Sequence, residues 1–196
     1  MIGEECGVRY AQMTADMLNP SLPGSIRKNQ ISRILKSCRD HDVTIFTNYP
    51  KWAVRRFGIP EDRVRFHICW GSWHGPHRGD VELKDVVDLL LKVKAQGYSV
   101  EAGNVRHEHE WKVWQSTKLP DGKVVTPGVV SHATNVLEHP ELVADRILRF
   151  ARTVGRENVI ASTDCGLGGR VHPQIAWAKL AALSEGARLA TKALWK

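Results

Sequence analysis

The stretch Arg63-Val64-Arg65-Phe66-His67-Ile68-Cys69 decides how this chain is interpreted. Polar and apolar residues alternate along it, which predicts a β-strand over residues 63–69. On such a strand His67 and Cys69 lie two residues apart, so their side chains point to the same face. An imidazole and a thiolate are ligand types that zinc accepts. The stretch therefore predicts a strand end that can hold a metal ion; the alternative is a core histidine beside an inert core cysteine.

Strands and helices alternate from this stretch to residue 196. Short apolar runs predict further strands over residues 98–101, 126–132 and 158–163. Helical periodicity and capping residues predict four helical segments. These are a helix from the N-cap Asp80 to a stop at Gly97, a polar aromatic helix near residues 108–115, a helix from Pro140 to a stop at Gly155, and a helix over residues 173–195. Such alternation favours a parallel sheet covered by outer helices.

One reactive side chain follows the end of each predicted strand. Cys69, Glu101, His132 and Cys165 are 32, 31 and 33 residues apart along the chain. In a parallel (β/α)₈ barrel all strands end on one face, and that face holds the active site. The regular spacing therefore predicts that these residues converge. Together with His67, the residues Cys69, Glu101 and Cys165 offer the nitrogen, oxygen and sulfur ligands that zinc accepts, whereas thiolates disfavour Mg²⁺ and Ca²⁺.

Two further segments carry charge or glycine near these strand ends. The segment Arg106-His107-Glu108-His109-Glu110-Trp111 lacks the HExxH spacing of a zinc protease. On a helix His107 and His109 would lie about 200° apart, so they would not bind one metal ion together. We expect a solvated or substrate-facing first turn there, and a role in positioning an anionic substrate stays open. The glycines of residues 166–169 predict a turn, with Arg170 as a candidate anion contact.

The sequence divides into a divergent leader, residues 1–57, and a second part, residues 58–196. The pattern of strands and helices is less regular in the leader. Short patterns in the leader predict strands over residues 7–13 and Val43–Thr47 and a helix over residues 26–38. Cys6 and Cys38 are predicted to be buried apolar residues, because the chain has no CxxC pair and a reducing compartment disfavours disulfides.

The composition is that of a globular protein. Of the 196 residues, 42% are hydrophobic and 25% are charged, which excludes wholesale disorder. No apolar run approaches the roughly 18 residues of a membrane span, and the first residues lack the apolar segment of a secretory signal. The net charge of +7 is spread along the chain, whereas nucleic-acid-binding proteins cluster such charge. We therefore expect a cytoplasmic protein that binds neither membranes nor nucleic acid.

Four segments are shared with one protein family. They read GIPEDRVRFHICWGSWHGPH (58–77), YSVEAGNVRHEHEWKVW (98–114), LPDGKVVTPGVVSHATNVLEHPE (119–141) and GRENVIASTDCGLGGRVHPQIAWAKL (155–180). On these segments, residues 58–196 resemble the C-terminal catalytic part of the cobalamin-independent methionine synthases, especially the short, single-barrel members. The family folds as a (β/α)₈ barrel with a catalytic zinc ion. The resemblance implies an α/β protein, a partial (β/α)₈ TIM barrel that comprises the C-terminal half with parallel strands and outer helices.

The resemblance also implies a site and a reaction. It maps the zinc ligands of the family onto His67, Cys69, Glu101 and Cys165, the set that the spacing predicts. His132 lies near the position of a family histidine that is suited to proton transfer. The implied cofactor is Zn²⁺, and the implied partners are a small-molecule thiol and a methyl donor. The implied reaction transfers a methyl group from 5-methyltetrahydrofolate with a polyglutamate tail to the thiol of homocysteine, which gives methionine.

The chain also departs from the family. The front half of the barrel has no counterpart here, residues 19–57 match poorly, and residues 7–16 lack the acidic strand end that precedes the HxC strand in the family. We therefore expect self-association or a partner that supplies the front half. Two alternatives stay open: a zinc-dependent thiol alkyltransferase or lyase of the coenzyme M–epoxide type, and an inactive zinc-binding fragment.

Overall fold

The computed structural model describes the backbone of residues 2–5, 8–13 and 43–47, and all atoms of residues 60–71 and 75–196. The chain divides into two compact units, one formed by Met1–His67 with Val93–Gly97 and the other by Ile68–Lys92 with Tyr98–Lys196. The predicted helix over residues 26–38, Cys6, Cys38 and the predicted boundary between residues 57 and 58 lie outside the described residues.

The described residues of the first unit include a row of four strands. Strand β1 pairs with β2 in antiparallel register, from Ile2 opposite Ala11 to Glu5 opposite Val8. Strands β2, β3 and β4 then run parallel, with neighbouring residues paired in sequence along each strand. The four strands are β1 (Ile2–Glu5), β2 (Val8–Met13), β3 (Val43–Thr47) and β4 (Val64–His67). The strands predicted around residues 7–13 and 43–47 are thus confirmed, whereas β4 ends at His67, two residues earlier than predicted.

The second unit contains strands β5 (Gly97–Glu101, which begins at the boundary of the units), β6 (Val124–Val130) and β7 (Ser162–Thr163). All five residues of β5 are buried. Strand β7 runs parallel to β6, as the strand–helix alternation predicts. It is shorter than the predicted residues 158–163, because the segment Arg156–Asn158 forms a 3₁₀ turn and Val159 keeps only an isolated bridge to Val125.

Three α-helices accompany these strands, namely α1 (Leu83–Leu90), α2 (Pro140–Val154) and α3 (Pro173–Leu194). Helix α2 agrees with the prediction at both ends. Its first position is Pro140, the ring of His139 accepts a hydrogen bond from the Glu141 backbone N–H, and Gly155 ends the helix with φ 94°. None of the helices in the described part of the chain is long and apolar enough to cross a membrane.

Helix α1 corrects two predictions. Glu82, not Asp80, is its N-cap, because the Asp80 carboxylate is engaged with His77 and His107. The helix also ends at Leu90, and Gly97 is the first residue of β5 instead of a helix stop. The polar aromatic segment Glu108–Gln115 lies where it is predicted but is a 3₁₀ helix.

The core of the second unit lies where α2 and α3 pack behind β6. Its buried members are Val129, Val130, Val143, Ala144, Ile147 and Ala190. Close packing of the two helices depends on Gly186, because a Cβ atom there would lie 2.5 Å from Cγ1 of Val143 and 2.8 Å from the Pro140 carbonyl oxygen. This packed layer gives the carboxyl ends of the strands a fixed support.

Candidate metal centre

Three of the predicted ligand residues come together. The ligand atoms of His67, Cys69 and Cys165 all lie within 4.8 Å of one another, and the three side chains are half-buried. His67 is the last residue of β4 and Cys69 follows two residues later, while Cys165 lies two residues beyond the end of β7. One imidazole and two sulfur atoms form a set that could bind a metal ion.

The two cysteines interact directly. A hydrogen bond with Cys165 raises the pKa of the Cys69 thiol, and burial together with the charge of Glu101 raises this pKa further. The raised pKa keeps the Cys69 thiol protonated when no cation is present. A zinc ion reverses this preference, because a coordinating thiol is deprotonated outright. The residues present therefore fit a zinc ion.

Glu101, the fourth predicted ligand, lies beside this group with its carboxylate held by hydrogen bonds. Its side chain is 1% exposed. The Trp70 backbone N–H donates to Oε1 at 3.2 Å, and the Asn104 side-chain amide donates to Oε2 at 2.7 Å. The backbone N–H of Ile68 also donates to the Ser99 carbonyl at 3.0 Å, which ties the chain before Cys69 to β5. The ligand role of Glu101 stays a prediction.

Asp164, the residue that follows β7, fixes the end of β5. One of its carboxylate oxygens accepts hydrogen bonds from the backbone N–H groups of Ala102 at 2.8 Å and Gly103 at 2.7 Å. The other accepts from the Asn104 side chain at 3.1 Å, so Asn104 bridges Asp164 and Glu101. Burial raises the pKa of Asp164 to about 6, although these three hydrogen bonds oppose the rise. Asp164 therefore links the segments that carry Glu101 and Cys165.

A glycine on β6 makes room for this link. A Cβ atom at Gly128 would lie 2.3 Å from both Cα and Oδ1 of Asp164. Side chains larger than hydrogen are excluded at this point unless the backbone moves. The close approach explains why a glycine interrupts the apolar run Val124–Val130.

His132 follows β6 and is completely buried. Among the described residues, neither of its ring nitrogens has a hydrogen-bond partner. Burial lowers the pKa of His132, and nearby Arg170 and Arg106 act in the same direction, whereas Cys165 and Glu101 oppose the shift. Two predicted ligand residues, Cys165 and Glu101, therefore act electrostatically on His132.

A buried ion pair holds the loop that carries His132. The Lys179 ammonium group on α3 is 0% exposed and donates to Oε2 of Glu138 at 2.7 Å and to the Val136 carbonyl. Oε1 of Glu138 accepts a hydrogen bond at 2.7 Å from the backbone N–H of Ser131, the residue before His132. The position of His132 therefore depends on a cation that lies on a distant helix.

The histidine-rich segment differs from its prediction. His107 is buried with 4% of its surface exposed, so the expected solvated turn is wrong for this residue, whereas His109 is exposed. The neighbouring Glu108 forms two hydrogen bonds with the Arg146 guanidinium of α2, at 3.1 and 2.9 Å. These contacts anchor the segment to the protein interior.

Sequence reasoning missed Asn104 and Asp164. Asp164 directly precedes Cys165 at a predicted strand end, which is a signal that the sequence already contains. Asn104 gives no comparable signal, because its role depends on two carboxylates that are 3 and 60 residues away along the chain.

A His, Cys and Cys group at strand ends, together with two helices packed on β6, defines an α/β protein with a candidate zinc–thiolate centre. No family model matches the chain. The chain is similar to a structure of a B12-independent methionine synthase from Shewanella sp. W3-18-1, solved in complex with selenomethionine. The TM-score is 0.62 and the identity 22%, over 90% of this chain and 58% of that one.

The chain is also similar to two further proteins. A structure of a putative vitamin-B12 independent methionine synthase from Listeria monocytogenes aligns with TM-score 0.42 and 13% identity, over 95% of this chain and 48% of that one. The 2-hydroxypropyl-CoM lyase of Xanthobacter autotrophicus is 25% identical over 178 residues, which cover 76% of this chain and 47% of the lyase. The chain thus spans about half the length of these relatives.

The similarity confirms the fold and the resemblance that the sequence motifs indicate. The chain is an α/β protein with the fold of a partial TIM barrel, and a structure of a B12-independent methionine synthase is its structural neighbour.

Proposed function

We propose that this chain carries the zinc centre of a methyltransferase that acts on a thiol. The proposed reaction moves a methyl group from 5-methyltetrahydrofolate with a polyglutamate tail to homocysteine, which gives methionine. The single observation that carries the proposal is the approach of the ligand atoms of His67, Cys69 and Cys165 to within 4.8 Å of one another. The similarity to a methionine synthase fold supports it.

Each site residue has a proposed task. His67, Cys69 and Cys165 would hold the zinc ion, with Glu101 as the fourth ligand. The bound ion supplies one chemical effect, the deprotonation of a substrate thiol whose ordinary pKa of about 8.5 leaves it mostly protonated at neutral pH. Two cysteine ligands reduce the positive charge of the centre, which keeps the substrate thiolate nucleophilic.

His132 is the proposed proton carrier. It is completely buried, and because burial lowers its pKa, the neutral ring prevails at neutral pH. A neutral imidazole accepts a proton at one nitrogen, and its protonated form donates readily because its pKa is low. His132 would thus take up a proton from solvent in each cycle and deliver it to the pterin nitrogen when the methyl group leaves.

The chain spans about half the length of its relatives. Strand edges that a closed barrel would pair invite association with another chain. We propose that the chain associates with itself or with a front-half partner, and that isolated chains turn over slowly.

The test is an assay of methionine formation by the zinc-loaded chain, with homocysteine and a methyltetrahydropteroyl polyglutamate as substrates. The double variant Cys69→Ser/Cys165→Ser should lose both zinc and turnover, while His132→Ala should keep zinc and lose turnover. His109→Ala, which changes an exposed histidine of the same unit, is the matched control.

Proton release provides a second readout that does not need complete turnover. Addition of homocysteine to the zinc-loaded chain should release about one proton per site, because a thiol that binds zinc is deprotonated. Coenzyme M is tested in parallel, because one relative is named for it. Release with coenzyme M alone, or equal turnover in the double cysteine variant, would contradict the proposal.

A further inference from the structure

Four titratable side chains form a buried network in the second unit. His107 lies at its centre: Nδ1 is 2.9 Å from a carboxylate oxygen of Glu110, and Nε2 is 3.2 Å from a carboxylate oxygen of Asp80. His77 contacts the same Asp80 oxygen at 2.8 Å. The side chains of His77, His107 and Glu110 are 6%, 5% and 4% exposed and that of Asp80 is 21% exposed, so the network is largely shielded from solvent and open to it at Asp80.

The partners of His107 define its protonation state. Ionised carboxylates only accept hydrogen bonds, so a ring that contacts one carboxylate at each nitrogen must donate from both. Such a ring is an imidazolium. Burial lowers the pKa of His107, but the hydrogen bond and charge of Glu110, the charge of Glu101 and the hydrogen bond to Asp80 outweigh burial and leave the pKa above its ordinary value.

The charged ring lies flat against Trp70. The ring centroids of His107 and Trp70 are 4.1 Å apart, and the ring planes differ by 22°. A cation over an indole face is attracted by the ring quadrupole, and the attraction is larger where water is excluded. The indole N–H of Trp70 also donates to the Val81 carbonyl, so both the face and the edge of the ring are fixed.

Trp70 in turn adjoins two predicted ligands. It directly follows Cys69 in the chain, and its backbone N–H donates to Oε1 of Glu101 at 3.2 Å. A displacement of the Trp70 ring would therefore move the backbone beside the Cys69 thiol and the donor that orients the Glu101 carboxylate. The network itself is anchored, because Oε1 of Glu110 accepts a hydrogen bond at 2.6 Å from the backbone N–H of Leu83 at the start of α1.

We infer that His107, as an imidazolium held by Glu110 and Asp80, is a positioning residue that orients Cys69 and Glu101 for metal binding through its stack on Trp70. The inference rests on the proposed function, since it assigns the histidine-rich segment to the support of the same centre. Residues that contact and orient the metal ligands without binding the metal typically contribute 10- to 100-fold in metal affinity.

The experiment measures Co²⁺ and Zn²⁺ affinity of the purified chain by competition with a chromophoric chelator, together with the cobalt–thiolate absorption band. The variants His107→Gln and Trp70→Leu should each weaken affinity about 10- to 100-fold and alter the absorption band. Trp70→Phe, which keeps an aromatic face, should restore most of the affinity. His109→Gln, an exposed histidine two residues from His107, should leave affinity and spectrum unchanged.

The outcomes separate this inference from the proposed function. A wild-type chain that binds Co²⁺ with no thiolate band contradicts the metal centre itself and this inference with it. A wild-type chain that shows the band, with a His107→Gln variant of equal affinity and spectrum, overturns the positioning role alone. If His107→Gln does not fold, the pair Trp70→Leu and Trp70→Phe decides, and equal affinities in the two would overturn the inference.

Discussion

The substitution Lys179→Met tests how strongly the buried ion pair supports the loop that carries His132. Lys179 is 0% exposed and its partner Glu138 is 7% exposed at the side chain, so the substitution leaves a carboxylate buried without its cation. Removal of one partner from a buried pair typically costs about 3–5 kcal/mol. We expect a loss of that size in the free energy of unfolding.

A second substitution should recover much of the loss. In Lys179→Met/Glu138→Gln no charge is buried, and the glutamine oxygen still accepts the hydrogen bond of the Ser131 backbone N–H. The double variant should therefore lie within about 1–2 kcal/mol of the wild type. Arg188→Met is the matched control on the same helix, since its pair with Glu185 is 61% and 44% exposed and should contribute less than about 1 kcal/mol.

Urea unfolding followed by far-ultraviolet circular dichroism measures all three variants. If Lys179→Met behaves like Arg188→Met, the ion pair does not support the loop as we describe. A double variant as unstable as the single one would refute the explanation by an unpaired buried charge. That result would instead indicate that Lys179→Met destabilises the chain only through lost packing of the lysine side chain.

Three further outcomes follow from the site geometry. Asp164→Ala should lower the free energy of unfolding, measured in urea, by more than Asp164→Asn does. The difference should be about 1–3 kcal/mol for each backbone N–H that the asparagine oxygen still satisfies, and equal losses would contradict the role of the oxygen that accepts from Ala102 and Gly103. Gly128→Ala should lower the free energy of unfolding by about 1–3 kcal/mol or more, since its Cβ would lie 2.3 Å from Asp164, and a neutral result would refute the close approach. The pKa of His132 is lowered in the folded chain, so the unfolded chain binds the proton first and the free energy of unfolding falls as the pH drops below about 6.5. His132→Gln should therefore lose less stability than the wild type between about pH 7 and pH 5. Parallel curves of unfolding free energy against pH for the two proteins would contradict this.

The sequence predicts those parts of the fold that depend on local patterns. Helix α2 is an example, because Pro140, the buried spacing of Val143, Ile147 and Phe150, and the stop at Gly155 all lie within one short segment. The strand-end positions of the candidate ligands are predictable for a similar reason, since one βα unit repeats at nearly constant length.

Features that depend on contacts between residues far apart along the chain could not be predicted from the sequence. Asp80 has the residue type of an N-cap, yet its carboxylate is engaged by a histidine 27 residues away, and α1 begins three residues later. His107 has the pattern of an exposed polar turn but is buried against Trp70. In both cases tertiary contacts between charged groups outweigh local preference.

X-ray absorption at the zinc edge of the metal-loaded chain tests the central claim, that His67, Cys69 and Cys165 form a zinc–thiolate centre. The account predicts two sulfur neighbours at about 2.3 Å together with nitrogen or oxygen neighbours at about 2.0–2.2 Å, and the sulfur signal should vanish in Cys69→Ser/Cys165→Ser. A zinc ion surrounded only by nitrogen and oxygen in the wild-type chain would contradict it.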